Sequence, residues 1–336
     1  MKSDTEKTKK SFIKKILDIR GAMQVLTVFL GLILIYIVFA VLNDRFASLD
    51  NTWNLLRQIA PYIIIGVGQG YVLITANIDL SIGSVVGMTA MTSATLMCNG
   101  VNQWLALSVS LVLALLVGVL NGIMVAKIKL PPFIATLGTM SIARGIAQVV
   151  NNNRNTGDIG KVNQTFRDLF YYGKIGPIAT PIIIALILFF AFWFLLGKTR
   201  TGRHIYAVGS NIEAAKLSGV NTVRTITIAY LVSSFLAFVS GQIVMASVGM
   251  GSMDAGNTYE LFAVAAAVIG GISTMGGQGL LVGVLVGAGI WAVLQNGLTF
   301  IGVAVGYRSI IVGVIIVVSS TLDIIARTGG RRKKNN

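Results

Sequence analysis

Apolar runs fill most of the chain, and polar residues are confined to the gaps between them. Ten runs are candidate membrane-spanning helices: 22–42, 60–77, 82–98, 104–126, 133–150, 177–197, 225–249, 259–275, 279–299 and 308–325. Most approach the roughly 20 residues a helix needs to cross the hydrocarbon layer. The third, fifth and eighth are weaker, being short or rich in Gly, Ser and Thr. The pattern predicts an all-α fold, a polytopic transmembrane helical bundle of about ten helices. An even number of crossings places both termini on the same side. The expected divisions are a basic N-tail at 1–21, a transmembrane body at 22–325 and a basic C-tail at 326–336.

Two polar stretches interrupt the pattern. Residues 151–176 (NNNRNTGDIGKVNQTFRDLFYYGKIG) form the longest loop on one side, and 198–224 the longest on the other. Pro131-Pro132 stands where the fifth run begins, and the first turn of a helix tolerates proline because its N–H needs no internal partner. Gly83/Gly87 and Gly283/Gly287 have the small-xxx-small spacing that lets helices approach closely in lipid. The same glycines would let helices shift against one another. GGISTMGGQG at 270–279 reads as a tight turn between two spans.

Composition strengthens this picture. The 336 residues are 54% hydrophobic and only 12% charged, with a mean hydropathy of +0.79. A soluble domain carries about 25% charged residues. A net charge of +15 is also what a nucleic-acid binder shows. Here, however, the charges sit in the termini and a few loops, where they face anionic lipid and cytoplasm, so lipid is the expected partner and not nucleic acid. Of the 27 Lys and Arg, nineteen fall on the N-terminal side of the ten-span topology, seven on the other, and Arg144 lies inside a span. By the positive-inside rule both termini are cytoplasmic. The first run is longer than the ~7–15-residue core of a cleavable leader, so it is expected to remain as the first span. One cysteine, Cys98, and one histidine, His204, leave no basis for a disulfide or a clustered metal site.

Several polar residues within or beside the spans are candidates for a translocation pathway. ANIDLSIGS at 76–84 places Asn77, Asp79 and Ser81 between two apolar runs. A carboxylate there is costly when dehydrated. It reads either as a cap for the helix beginning near Leu80 or as part of a polar gate. Arg144, preceded by Thr136 and Thr139, reads as a structural pair or a pathway cation. Gln295 and Asn296 offer hydrogen bonds to a neighbouring helix or to a polar, uncharged cargo. Asp254 and Glu260 read as interfacial charges at the outer end of a span, or as contacts for an extracellular partner. Gly197-Lys198-Thr199 is not a phosphate loop, because Phe192 occupies the position of the required upstream glycine. No HExxH, GxSxG or metal-ligand cluster is present, so nothing argues for an enzyme.

GSNIEAAKLSGVN, at 209–221, is short, polar and alanine-rich. Asn211 is a good N-cap. Glu213 lies in the first turn, where the helix dipole favours negative charge, and Gly219 suits the C-terminal cap. The spacing predicts a two-turn helix over 212–218. Two turns are marginal alone, so the helix rests on the membrane or docks into a soluble partner. Ala214 and Ala215 leave it a low face, with Arg203, Lys216 and Arg224 around it.

Glu213 to Gly219 reads E-A-A-x-x-x-G and resembles the coupling-helix motif of ABC importer permeases. The wider chain is similar to the ribose/galactoside/xylose-type sugar permeases. The similarity is carried by IDLSIGS at 78–84, PFIATLGTM at 132–140, TRTGRHIYAVGSNIEAAKLSGVN at 199–221, YELFAVAAAVIGG at 259–271 and NGLTFIGV at 296–303, in the expected order. Branched-chain amino-acid permeases belong to the same broad group, and this chain looks more like the sugar branch. The resemblance implies a permease subunit in the bacterial cell membrane that works as a homodimer. ABC ATPase subunits on separate chains would carry the ATP and magnesium, so no cofactor is expected on this chain. An extracytoplasmic sugar-binding protein would deliver a monosaccharide or small glycoside. Asn211, Glu213, Ala214, Ala215, Lys216 and Gly219 would couple to the ATPase. The rival classes are a gradient-driven secondary transporter, with Asp79 as its ion-coupling group, and a passive channel.

Overall fold

The computed structural model describes residues 22–304 and scattered positions between 306 and 321. The basic tails and part of the tenth apolar run lie outside the described residues. Among the described residues, one small hairpin is the only β-structure, and helices joined by loops make up the rest. In order, the first helices are α1 (Ala22–Leu42), α2 (Leu49–Ile74), α3 (Ile82–Cys98), α4 (Gln103–Ala126) and α5 (Pro132–Val149). The loop at 151–176 contains α6 (Ile159–Val162), α7 (Gln164–Arg167) and a π-helical turn over Asp168–Tyr172. There follow α8 (Thr180–Lys198), α9 (Arg200–Ser210), α10 (Ile212–Leu217), α11 (Thr222–Val248), α12 (Tyr259–Ile269) and α13 (Leu281–Phe300). Among the described residues, five helices, α1, α4, α8, α11 and α13, are both long and apolar enough to cross a membrane.

The all-α expectation needs one amendment. Strands β1 (Lys174–Ile175) and β2 (Ile178–Ala179) pair antiparallel across Gly176-Pro177. Gly176 has φ +62°, which a two-residue hairpin loop with glycine first requires. The second span also begins earlier than its apolar run suggests. α2 starts at Leu49 with Ser48 as its N-cap, because capping outweighs the polar composition of its first turns.

Helix α11 is the central column and packs on α2, α3 and α4. Close approach is possible because Gly122 faces Thr227, Gly118 faces Tyr230 and Ser234, and Gly68 faces Ser233. Two elements do not run the full depth. α3 begins where Asp79 meets Ser233, eleven residues into α11, or roughly 16 Å along it. After α11, the chain returns without helical structure from Gly249 to Thr258. It follows α3 downward, Gly251 against Ala94, Ala255 against Gly87 and Gly256 against Gly83. Only then does the short α12 start. The Gly83/Gly87 pair thus accommodates irregular backbone and the first turn of α12, whereas Gly283 and Gly287 of α13 press on the carbonyls of Gly270 and Ala266. Along this segment Gly249, Gly251 and Gly256 are buried, whereas Met250, Asp254, Asn257 and Thr258 are exposed.

Candidate functional site

The first break in the helices, 75–81, is organised by Asp79. The residue is fully buried. Its Oδ1 accepts from Ser81 N (2.9 Å) and Ser81 Oγ (2.6 Å), and its Oδ2 accepts from Ser233 Oγ of α11 (2.7 Å). The network extends further. Asn121 Nδ2 of α4 donates to Ser81 Oγ (2.9 Å), and Thr139 Oγ1 of α5 donates to Asn121 Oδ1 (2.7 Å). Tyr230 OH donates to Ile78 O (3.1 Å). The Gln69 amide of α2 faces the Asp79 backbone, and in the orientation that satisfies both groups its nitrogen donates to the carbonyl at 3.0 Å. Four helices therefore meet in one network around Asp79, although only Ser81 and Ser233 bond the carboxylate itself. Each partner is itself buried, as polar groups in a dehydrated interior must be when they satisfy one another.

The second break, 249–258, is held by Arg144 of α5. Its Nη1 donates to Met253 O (3.1 Å) and Ala255 O (2.8 Å). Glu260, in the first turn of α12, is buried, and its carboxylate lies over Gly83 in the first turn of α3. A helix N-terminus favours negative charge at that place. Among the described residues, Oε2 of Glu260 and Oγ of Ser84 are buried without a hydrogen-bond partner. Glu260 is therefore an interior residue, whereas Asp254 remains exposed.

Of the other candidates, Asn77 sits within the first break but outside the Asp79 network, and the rest lie elsewhere. Asn77 is half-buried and bonds Thr75 at 2.9 Å. Thr136 is buried and donates to Pro132 O (2.8 Å) within its own helix. Asn296 accepts from Asn51 at 3.0 Å, tying α13 to the start of α2, and Gln295 beside it is half-buried. Of the eight candidates, Asp79, Ser81 and Thr139 share one network, Arg144 clasps the other break, and the remaining four stand apart. The motifs did not reveal Asn121, Ser233, Gln69 or Tyr230. Only their placement as single polar residues within apolar runs could have drawn attention to them.

At the end of the molecule where α8 stops, α9 lies as an amphipathic helix. It buries Gly202, Ile205, Val208 and Gly209 and exposes Arg200, Arg203 and His204. The short α10 follows and is capped at both ends. Asn211 Oδ1 accepts from Ala214 N (2.9 Å). Gly219, at φ +80°, closes a Schellman motif, with Val220 N donating to Ala215 O and Gly219 N to Lys216 O, both at 3.0 Å. The two alanines part company. Ala215 is buried beneath the helix, and Ala214 faces out. Ile212 is 45% exposed and Leu217 89%.

This platform touches the interior directly. Gly209, near the end of α9, packs on the Ile74 carbonyl and the Gly277 amide. Gly277 N donates to Ile74 O (2.8 Å), and Tyr206 OH donates to Gly279 O (2.8 Å). The glycine-rich loop 270–279 is thus wedged between the end of α2 and the end of α9, with positive φ at Gly271, Gly276, Gly277 and Gly279. Among the described residues, no group of His, Cys, Asp and Glu could hold a metal ion.

Residues 51–320 match a family profile described as the permease component of a branched-chain amino acid transport system. The ribose import permease protein of Bacillus subtilis is 36% identical over 303 residues, covering 90% of this chain and 94% of that protein. The D-allose transport system permease protein of Escherichia coli is 33% identical, covering 88% and 90%. The galactose/methyl galactoside import permease protein of E. coli is 34% identical, covering 94% and 96%. No solved structure matches the chain. The match extends nearly end to end and takes in both helix breaks and the capped α10, so the chain belongs to this family of ABC-transporter permease components.

Proposed function

We propose that this chain is the membrane-spanning subunit of a bacterial ABC importer for a monosaccharide or small glycoside. The observation that carries the reading is the similarity, along nearly the whole chain, to import permeases for ribose, allose and galactosides. Separate ATPase subunits, holding ATP and magnesium, supply the energy, and an extracytoplasmic sugar-binding protein delivers the cargo. Two copies form the pathway. The chain crosses the cell membrane about ten times, with the basic tails and the α9–α10 platform in the cytoplasm.

The geometry supports a mechanical route. α10 is too short to be stable alone, yet both ends are capped and it presents Ile212, Ala214 and Leu217 outward. That face fits a groove in the ATPase, with Glu213 and Lys216 at its edges. A displacement of α10 passes through Asn211 into α9. From Gly209 it reaches the end of α2 and the 270–279 loop at once. Those two segments lead to the breaks at 75–81 and 249–258. Discontinuous helices near mid-depth are where transporters commonly build their gates and binding sites.

The test is co-purification. The mildly solubilised wild type should bring down an ATPase, while Glu213→Ala and Gly219→Pro, folded by thermal melt, should lose it. A chain that transports in vesicles without any associated ATPase overturns the reading.

A further inference from the structure

On the face opposite the α9–α10 platform, a cleft of about 500 Å³ opens between the first turns of α2 and the β1–β2 hairpin. This volume is within the range of small-molecule sites. Asp50, Trp53, Asn54 and Arg57 line it from α2, and Lys174 lines it from the hairpin. The four α2 residues follow the i, i+3, i+4, i+7 spacing, so they share one helix face. Among the described residues Arg57 Nε is buried without an acceptor, while the residue as a whole is half-buried and lines the cleft.

Deeper in the same helices, Tyr62 of α2 packs on α12. Tyr62 and Tyr259 are 5.5 Å apart, Tyr62 and Phe262 5.9 Å, and Phe262 stacks on Trp291 at 4.3 Å.

We propose that this cleft is an entry subsite for a neutral, polyhydroxylated cargo, with Trp53 as a stacking platform and Asp50, Asn54, Arg57 and Lys174 as the hydrogen-bonding rim. The proposal rests on the sugar-import reading and assigns it a place. A pyranose or furanose alternates hydroxyl edges with C–H faces, which this pairing of one indole with donors and acceptors of both signs matches. A branched-chain amino acid would need an apolar wall for its side chain. Besides Trp53, the cleft offers only Pro177 and Ala179.

The test uses the full chain in right-side-out vesicles, with Cys98→Ser as background and Pro177→Cys, exposed at the cleft but outside its hydrogen-bonding rim, as a reporter for an impermeant maleimide. D-ribose, D-allose, D-galactose and L-leucine are the probes. At least one sugar should slow labelling about threefold at twice its dissociation constant, where two-thirds of the sites are filled. The protection should survive Trp53→Phe and disappear with Trp53→Ala. A Lys161→Cys reporter, exposed on the same side but outside the cleft, should be unaffected. Protection by leucine alone, equal slowing at both reporters, or no slowing at all overturns the proposal. Sugar uptake by cells carrying the wild-type complex is measured in parallel. Uptake without protection removes the subsite and leaves the import reading standing. Neither uptake nor protection removes both.

Discussion

Replacing Asp79 with alanine separates a structural keystone from a residue that only lines a path. The carboxylate accepts three hydrogen bonds of 2.6 to 2.9 Å, and its backbone is held by Gln69. Alanine removes the acceptors and leaves Ser81 and Ser233 hydroxyls buried among apolar neighbours. At the ~0.6 kcal/mol per bond typical of membrane interiors, the loss is about 2 kcal/mol. At the ~1.5 kcal/mol or more of bonds to a charged group, it approaches 5 kcal/mol. Both bounds are large beside the roughly 5–15 kcal/mol by which folded domains are held. Asp79→Asn keeps one acceptor oxygen, so it should lose about half as much. The assay is a thermal melt of the detergent-solubilised chain, followed by size-exclusion chromatography, for wild type and both variants. The expected order is wild type, then Asn, then Ala, with the Ala variant lower by several degrees. If the Ala variant melts with the wild type while uptake is abolished, the network is not what holds the break. Asp79 would then be acting on the cargo.

Three further outcomes follow from the same geometry. Leu217→Asp alters a side chain that is 89% exposed, so the melt should not move, whereas ATPase co-purification should fall at least tenfold if this face enters the groove, about 1.4 kcal/mol. Arg144→Ala removes both donors from the carbonyls of Met253 and Ala255; limited proteolysis should then cut within 249–258 faster than in wild type, and an unchanged cleavage pattern would refute the clasp. Gly209→Val places a side chain against the Ile74 carbonyl and the Gly277 amide; the variant should still bind the ATPase but fail to couple hydrolysis to uptake, and normal uptake would rule out this joint as the transmission point.

The length of the apolar runs located the long helices among the described residues, because each run must satisfy its own backbone hydrogen bonds within lipid, but not α6, α7 or α9, which lie in stretches that read as loops. The capped helix at 212–217 was equally legible, since Asn211 and Gly219 act on groups only a few residues away. The depth of the breaks was not legible. Hydropathy makes 82–98 and 259–275 resemble weak spans, and only packing shows that α3 starts partway along α11 and that 249–258 descends beside it. The partners of Asp79 were hidden for the same reason: Asn121, Thr139 and Ser233 lie 42, 60 and 154 positions further along the chain. Glu260 looked interfacial because it follows a polar stretch, but the fold carries that stretch inward and buries it against Gly83. Local chemistry, acting over a turn or two, thus determined the helices and their caps. Which polar groups meet was decided by tertiary packing, because a buried charge is tolerated only where distant helices bring it donors.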